Sequence, residues 1–238
     1  MIDFIGIGAQ KSATTWMYWQ LSRHPQVWFP GIKEMHYWDS NPHGDGADWL
    51  APFQQAPEGR IKGEYTPAYA TLDTVTIERI AALCPDLRLI YLLRNPVERA
   101  WSQARMLASQ GWLNLDNRQE IEEFLVSERC RSRGRYSQTI CRWSEVFGRE
   151  ALSIHLFEDI ASEPDAVLHA IAGHLGITAE GFHQEETDMF ERIHVGAPIP
   201  IPAFVRDFLH REYVEEVART ADLIGRPLDH WLKEYVDA

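Results

Sequence analysis

The sequence predicts an α/β fold in which helices cover both faces of a parallel sheet. Three apolar runs, residues 2–7, 88–93 and 152–157, have the pattern of buried strands, and a helical pattern follows each of them. Alternation of strand and helix favours a parallel sheet, because each crossover returns the chain to the same edge. With 238 residues, 45% of them hydrophobic, the chain can form one sizeable core, so we expect a single domain.

The first two strands lead into helices with recognisable starts. The first strand meets a tight loop at Gly6 and Gly8, and a helix is predicted over about residues 13–23. After residues 88–93, the segment Asn95-Pro96-Val97-Glu98 supplies a cap residue, a proline at the first helical position and an acid. The apolar positions of this second helix share one face: Val97, Ala100, Trp101, Ala104 and Ala108.

Three further helices are predicted by apolar spacing. Residues 40–60 and 196–202, which are rich in turn-forming residues, are predicted to be surface loops. The positions that mark the helices are Tyr136, Ile140, Trp143 and Phe147, then Val167, Leu168, Ile171 and Leu175, and finally Val205, Phe208, Leu209, Val217 and Ala221.

Composition limits the partners. The 35 acidic residues exceed the 23 basic ones, and the formal net charge of -12 argues against broad binding to nucleic acid or anionic membranes. The excess is uneven, because residues 1–111 carry 10 basic and 11 acidic side chains and residues 112–238 carry 13 and 24. Residues 129–149 hold six arginines against the single acid Glu145, which predicts either a solvated helix face or a local anion site.

The cysteines bear on location. Cys84, Cys130 and Cys141 lie far apart and form no C-x-x-C pair, which fits a reducing compartment. No run approaches the roughly 18 apolar residues of a membrane span, and the first residues lack a signal-peptide pattern. We therefore expect a cytoplasmic protein without a membrane anchor.

The junction between the first strand and its helix is a candidate anion site. A helix start favours anions through its backbone N–H groups and dipole, and a lysine and several hydroxyls add charge and donors. Gln10 and Ile5 stand where the Walker A pattern requires glycines, so that pattern fails. The alternative is a plain helix start with a surface lysine. The candidate residues are Gln10, Lys11, Ser12, Ala13, Thr14, Thr15 and Trp16.

A second candidate anion site follows residues 88–93. Mg-nucleotide enzymes usually end such a strand in Asp, whereas Arg94 brings a fixed fork of donors suited to phosphate. Ser102 lies in the second turn of the following helix, where its hydroxyl is predicted to share that anion. The alternative is a salt bridge between Arg94 and Glu98.

Together the two motifs resemble those of the sulfotransferases that use 3′-phosphoadenosine 5′-phosphosulfate (PAPS). Residues 11–16 are similar to their 5′-phosphosulfate loop, and residues 94–102 are similar to their 3′-phosphate motif. The resemblance continues through residues 134–136 and 156–159. It implies a single-domain, P-loop-NTPase-like α/β fold.

The resemblance also implies an organisation and further cofactor contacts. Residues 1–175 would form the cofactor-binding core, and residues 176–238 a C-terminal loop and helices of the same domain. Trp16 either lines the adenine pocket or packs into the core. Tyr136, His194 and Gly196 are the other implied cofactor contacts. The family needs no metal, and no H-E-x-x-H motif or Cys/His set at zinc spacing predicts one.

A third segment, residues 33–39, is similar to the K-E-x-H-aromatic-aromatic-D stretch of the heparan-sulfate-type branch. There the glutamate is the general base, so the resemblance implies that Glu34 deprotonates the acceptor and that His36 tunes or positions it. From the residues alone, a loop with aromatics packed inward is the alternative. The resemblance fails at Tyr65, where the family commonly has a lysine. Either Lys33 or Lys62 replaces that lysine, or Lys11 and backbone donors alone hold the transition state.

The resemblance implies transfer of a sulfuryl group from PAPS to a hydroxyl or amine of a small-molecule or carbohydrate acceptor, with adenosine 3′,5′-bisphosphate (PAP) as product. A short chain without an anchor is more typical of bacterial members. Two alternatives stay open. A Mg-dependent nucleotide kinase or NTPase would use the acids of residues 157–159 at a strand end, and a non-catalytic module for PAP or a sulfated ligand would explain Tyr65.

Overall fold

A computed structural model of the chain describes residues 1–182 and 199–233. One sheet contains every strand in that part of the chain, in the order β2-β3-β1-β4-β5, and each pairing is parallel. The predicted α/β fold with a parallel sheet is therefore confirmed. The strands are β1 Phe4–Gly8, β2 Val27–Trp28, β3 Ile61–Tyr65, β4 Arg88–Leu93 and β5 Leu152–Leu156.

Helices connect the strands and continue the chain after β5. Their bounds are α1 Thr14–Arg23, α2 Tyr37–Ser40, α3 Ala47–Leu50, α4 Thr74–Leu83, α5 Pro96–Ser109, α6 Arg118–Val126, α7 Glu128–Arg131, α8 Tyr136–Phe147, α9 Phe157–Ser162, α10 Pro164–Leu175, α11 Ala203–Ile224 and α12 His230–Lys233. Short 3-10 helices lie at Ala51–Gln55, Pro67–Thr71, Ser132–Gly134, Arg149–Ala151 and Ala179–Gly181. Among the helices just named, none is long and apolar enough to cross a membrane.

The described residues fall into two compact units. The first holds residues 1–93 and 141–182 and includes the whole sheet, and the second holds residues 94–140 and 199–233. In the first unit, side chains of β1, β4, α1 and α10 belong to an apolar cluster. In the second unit, α5, α6 and α11 contact one another. The sheet of the first unit fixes the positions of the loops that carry the candidate site.

Local signals explain where the predicted helices begin and end. The Asn95 side chain accepts a hydrogen bond from the Val97 N–H at 3.0 Å, and Pro96 is the first residue of α5. Helix α10 ends at Gly176, whose φ of 72° lies in the left-handed region that glycine adopts without a steric penalty. The cap predicted for α5 is therefore present.

Some predictions need correction. Residues 40–60 are not a plain loop, because α3 and the 3-10 helix Ala51–Gln55 lie within them and bury Trp49 and Phe53. The strand predicted at residues 152–157 is β5, which ends at Leu156, and Phe157 is the first residue of α9. The predicted loop at 196–202 falls partly outside the described residues.

Candidate active site

The loop between β1 and α1 has a backbone suited to an anion. Lys11 and Ala13 have φ angles of 72° and 62°, in the left-handed region that residues other than glycine adopt at a cost. Ala13, the residue before α1, supplies no side-chain cap to the helix. The Ser12 hydroxyl is buried and has no hydrogen-bond partner among the described residues. A buried donor of this kind is available for a hydrogen bond to a ligand.

The start of the same loop is tightly packed on β4 and on the 3-10 helix Pro67–Thr71. The Ala9 N–H donates to the Leu92 carbonyl at 2.7 Å. A Cβ on Gly8 would lie 3.0 Å from the Ala70 Cβ and 3.1 Å from the Pro67 carbonyl oxygen, at a φ of 149°. Only glycine therefore allows the chain to leave β1 in this direction.

The other predicted residues of the loop differ in their surroundings. The Gln10 side-chain oxygen is buried without a hydrogen-bond partner in the described part of the chain, Thr14 is buried and Thr15 is half-buried. Trp16 is 1% exposed and belongs to the apolar cluster of the first unit. The position of Trp16 favours the packing role that the sequence left open over contact with adenine.

Glu34 lies at the carboxyl edge of the sheet. Its N–H donates at 3.1 Å to the carbonyl of Tyr65, the last residue of β3. Because β3 and β1 are parallel neighbours, the Glu34 backbone and the β1–α1 loop lie at the same edge. Glu34 and His36 have φ angles of 65° and 53°, and Lys11 and Ala13 are the other non-glycine residues of the described chain with positive φ. Such strained backbones concentrate at functional sites.

The Glu34 carboxylate lies between two basic side chains. Oε1 pairs with the Lys33 ammonium, and Oε2 is 3.4 Å from Nε2 of His36. The other imidazole nitrogen, Nδ1, is 2.8 Å from the Asp39 carboxylate, which orients the ring. The Glu34 side chain is 35% exposed, so an acceptor can reach it. Sequence reasoning did not assign Asp39 a role, although its position three residues after His36 was the available signal.

A second carboxylate, Glu64, is completely buried on β3. It accepts hydrogen bonds from Nε1 of Trp49 at 2.5 Å and from the Thr66 hydroxyl at 2.8 Å, and it also hydrogen bonds with Tyr69. Burial raises the pKa of Glu64 to about 7, although the hydrogen bonds oppose this shift. Sequence reasoning gave Glu64 no role, because the sequence pattern predicted neither β3 nor the burial of its glutamate.

Tyr65 occupies the position at which the family resemblance predicts a lysine. Its side chain is fully buried in the apolar cluster, and the hydroxyl has no hydrogen-bond partner among the described residues. Of the two candidate replacements, Lys33 contacts Glu34, whereas Lys62 lies near the amino end of β3. The contact with Glu34 supports Lys33, and the identity of the second cation stays a prediction.

The second unit carries the other predicted cofactor residues. Arg94 directly follows β4, and its Nε and Nη2 donate to Glu98 at 3.0 and 2.7 Å, which is the salt bridge that the sequence left open. The Tyr136 hydroxyl donates to the Arg94 carbonyl at 2.8 Å and so fixes the backbone there. Ser102 is 9% exposed in the second turn of α5.

Two predicted residues, His194 and Gly196, lie outside the described residues. In the described ranges, no three or more His, Cys, Asp and Glu side chains are grouped so as to hold a metal ion. Two members of the arginine-rich segment 129–149 form ion pairs, Arg131 with Glu212 and Arg135 with Glu128. The predicted surplus of positive charge in this segment is therefore partly neutralised.

Comparisons with known proteins identify the family of the chain. A family model described as the sulfotransferase family matches residues 33–181. The human bifunctional heparan sulfate N-deacetylase/N-sulfotransferase 2 is 25% identical over 272 residues, 97% of this chain and 31% of that protein. The membrane-associated sulfotransferase kil1 of Dictyostelium discoideum is 35% identical over 133 residues, 53% of this chain and 27% of that protein. The chain thus spans less than a third of these relatives.

Solved structures share the P-loop-like fold. A sulfotransferase from Alicyclobacillus acidocaldarius has a TM-score of 0.79 and 25% identity, with 97% of this chain and 98% of that chain covered. The mouse sulfotransferase SULT7A1, complexed with PAP, has a TM-score of 0.53 and 16% identity, with 80% of this chain and 63% of that chain covered. Because the family model matches more than half of the chain, the chain belongs to the sulfotransferase family.

Proposed function

We propose that the chain transfers a sulfuryl group from PAPS to a hydroxyl or amine of a small-molecule or carbohydrate acceptor. The hydrogen bond from the Glu34 N–H to the Tyr65 carbonyl carries the proposal, because it places a partly exposed carboxylate at the edge that bears the β1–α1 loop. Family membership and the PAP bound to SULT7A1 support PAPS as the donor. The heparan sulfate relative supports a carbohydrate-like acceptor.

The β1–α1 loop fits a phosphosulfate. The buried Ser12 hydroxyl lacks a partner in the described chain, Ala13 supplies no side-chain cap to α1, and Lys11 brings a positive charge. We assign residues 10–15 to the 5′-phosphosulfate, which supplies the sulfuryl group. Lys11 then stabilises the negative charge that develops on the bridging oxygen as that oxygen leaves.

Glu34 acts as the general base in this proposal. A bond forms between the acceptor oxygen or nitrogen and sulfur while the bond from sulfur to the bridging oxygen breaks, and the electron pair stays on that oxygen. The acceptor proton moves to Glu34. His36, held by Asp39, positions the Glu34 carboxylate, and Lys33 supplies the positive charge that Tyr65 does not.

Arg94 and Ser102 are assigned to the 3′-phosphate. The guanidinium of Arg94 offers a planar set of donors, and its pairing with Glu98 restricts its orientation before a ligand binds. Tyr136 acts on the same residue through the Arg94 carbonyl. His194 and Gly196 stay predicted contacts of the C-terminal loop.

Two measurements test the function. Calorimetry with PAP in the presence and absence of Mg²⁺ should show tight binding that does not depend on the metal. Transfer of ³⁵S from labelled PAPS should be detected with a panel of saccharides, alcohols, phenols and amines. Preference for Mg-ATP over PAP would indicate the kinase alternative, and PAP binding without transfer to any acceptor would indicate a binding module.

The proposal includes a cytoplasmic location and a bacterial source, with no nucleic-acid or membrane partner. Cys84, Cys130 and Cys141 are free thiols, which is typical of a reducing compartment. The likeness to the Alicyclobacillus acidocaldarius chain over nearly its whole length supports the source. Because the relative kil1 is named as membrane-associated, fractionation of expressing cells is the appropriate test.

A further inference from the structure

Glu64 is linked to the segment that carries the proposed base through the hydroxyl of Tyr69. This hydroxyl accepts hydrogen bonds from the N–H groups of Tyr37 at 3.1 Å and Trp38 at 3.4 Å. Both N–H groups belong to the first turn of α2. The residue before this helix, His36, does not accept a hydrogen bond from it with its own side chain. The Tyr69 hydroxyl therefore serves as the cap of α2, although it lies far along the chain.

The direction of each hydrogen bond at Tyr69 follows from counting protons. A hydroxyl has one proton and two lone pairs. Both lone pairs face N–H groups of α2, so the proton is donated to Glu64, with which Tyr69 hydrogen bonds. Trp49 and Thr66 donate to the same carboxylate. Three neutral donors thus surround Glu64, and within the described ranges no ion pair joins it to a cation.

A second contact connects Glu64 to the same helix. The Trp49 ring that donates to Glu64 packs edge-on against Trp38, with 5.3 Å between the ring centroids. Trp38 and Trp49 are both fully buried. Glu64 therefore restrains α2 through the backbone, by way of Tyr69, and through a side chain, by way of Trp49.

The backbone just before α2 needs these restraints. His36 has a φ of 53° and Glu34 a φ of 65°, and such conformations persist only where the surroundings hold them. One restraint is the hydrogen bond from the Glu34 N–H to Tyr65, and the other is the capture of the Tyr37 N–H by Tyr69. Without the second restraint, His36 is free to relax toward ordinary φ values.

We propose that Glu64 is a positioning residue, which through Tyr69 holds the first turn of α2 and the left-handed backbone that presents Glu34 and His36 to the acceptor. The inference rests on the proposed function, in which Glu34 is the base. Glu64 itself is fully buried, so it acts through Tyr69 and touches no substrate.

The test compares Glu64→Gln, Tyr69→Phe and the double variant with the wild-type chain. The matched control is Glu122→Gln, since Glu122 is an exposed glutamate of α6 that pairs with Arg118 of the same helix. The measurements are kcat and KM with PAPS, the Kd of PAP, and hydrogen exchange of the amides in residues 34–40. Circular dichroism establishes that each variant is folded.

Each single variant should lower kcat about 10-fold or more, because a small misplacement of a base has a large effect on rate. The KM for PAPS and the Kd of PAP should stay within about twofold of wild type, since the β1–α1 loop keeps its own contacts. Amide protection should fall at Tyr37 and Trp38 and stay unchanged in α1. The double variant should be no slower than the slower single variant, because both changes act on one path.

Wild-type kcat and wild-type exchange in Glu64→Gln would overturn the inference, and so would additive losses in the double variant. If the wild-type chain transfers no sulfuryl group while Glu64→Gln still exposes the amides of Tyr37 and Trp38, the proposed function fails and the restraint on α2 is supported. If Glu64→Gln does not fold, Tyr69→Phe removes only one oxygen and decides the question by the same measurements.

Discussion

The ring of Tyr65 covers Gly6, and a Cβ added to Gly6 would lie 2.3 Å from that ring. The two residues are paired in register between β1 and β3. The ring lies in the apolar cluster that includes Trp16. A lysine at position 65, as the family resemblance suggests, would place an ammonium group in this cluster. The departure from the family pattern is therefore accommodated by the packing of two adjacent strands.

Tyr65→Lys should lower the free energy of unfolding by about 3 kcal/mol or more, because it removes a buried ring and introduces a charge among apolar side chains. It should not raise kcat. Tyr65→Phe is the matched control and should stabilise the chain by about 1 kcal/mol, since the buried hydroxyl has no partner among the described residues. Urea denaturation measures both changes, and a more active Tyr65→Lys enzyme would contradict this account.

Lys11→Ala should reduce kcat about 100-fold to 1,000-fold, because the leaving oxygen loses its cation. Lys11→Gly is a useful companion, since glycine adopts the φ of 72° without a steric penalty. Equal losses in the two variants would assign the effect to the charge. A clearly faster Lys11→Gly enzyme would show instead that backbone strain at this position limits the reaction.

Glu34→Gln should lower kcat about 100-fold to 10,000-fold and leave PAP binding intact, as expected for removal of a general base. Asp39→Asn should have a smaller effect, about 10-fold, because it alters only the orientation of His36. Steady-state kinetics and calorimetry supply the two measurements. Near-normal turnover in Glu34→Gln would move the role of base to His36.

Arg94→Ala and Ser102→Ala should weaken binding of PAP more than binding of AMP, which lacks the 3′-phosphate. A loss of about 10-fold or more in the ratio of the two affinities is expected for one charged hydrogen bond. Arg118→Ala is the control, because Arg118 is exposed on α6 and pairs with Glu122. Equal weakening of PAP and AMP would contradict the assignment to the 3′-phosphate.

Glu64 should make stability depend on pH. Its pKa is about 7 in the folded chain, whereas the ordinary pKa of a glutamate is 4.5, so between these values the folded state binds more protons than the unfolded state. The contribution of Glu64 to the free energy of unfolding therefore falls as the pH rises through this window. The free energy of unfolding of Glu64→Gln minus that of wild type should increase by about 3 kcal/mol as the pH rises from about 4 to about 8. Urea denaturation across that range measures it, and parallel curves would exclude the titration.

Local patterns were sufficient for the longer elements of the fold. The strands near residues 2–7 and 88–93 and the helix after Asn95 have continuous apolar runs or clear caps, and the structure confirms them. Strand β2 has two residues, too few to show a period. In β3 the polar residues Lys62 and Glu64 interrupt the apolar pattern, and burial of Glu64 depends on donors from Trp49 and Tyr69.

In the site, too, local motifs predicted some residues, and others depend on contacts that are distant in the sequence. The motif resemblance singled out Lys11, Glu34 and His36. In the structure Glu34 contacts His36, and both lie at the edge of the sheet that also carries the β1–α1 loop with Lys11. The motif does not state which side chains support them, so Asp39 was unassigned and Glu64 was missed. The boundary between a core at 1–175 and a C-terminal part at 176–238 stays a prediction.

The three thiols differ in burial, so their reactivity reports whether the unmodified chain is folded. Cys141 is exposed, whereas Cys84 and Cys130 are buried, and burial raises the pKa of both buried thiols. A maleimide reagent should therefore couple to one sulfur in the native chain and to all three in the unfolded chain. Mass spectrometry of the adducts then reports the unfolded fraction of any variant without an engineered label.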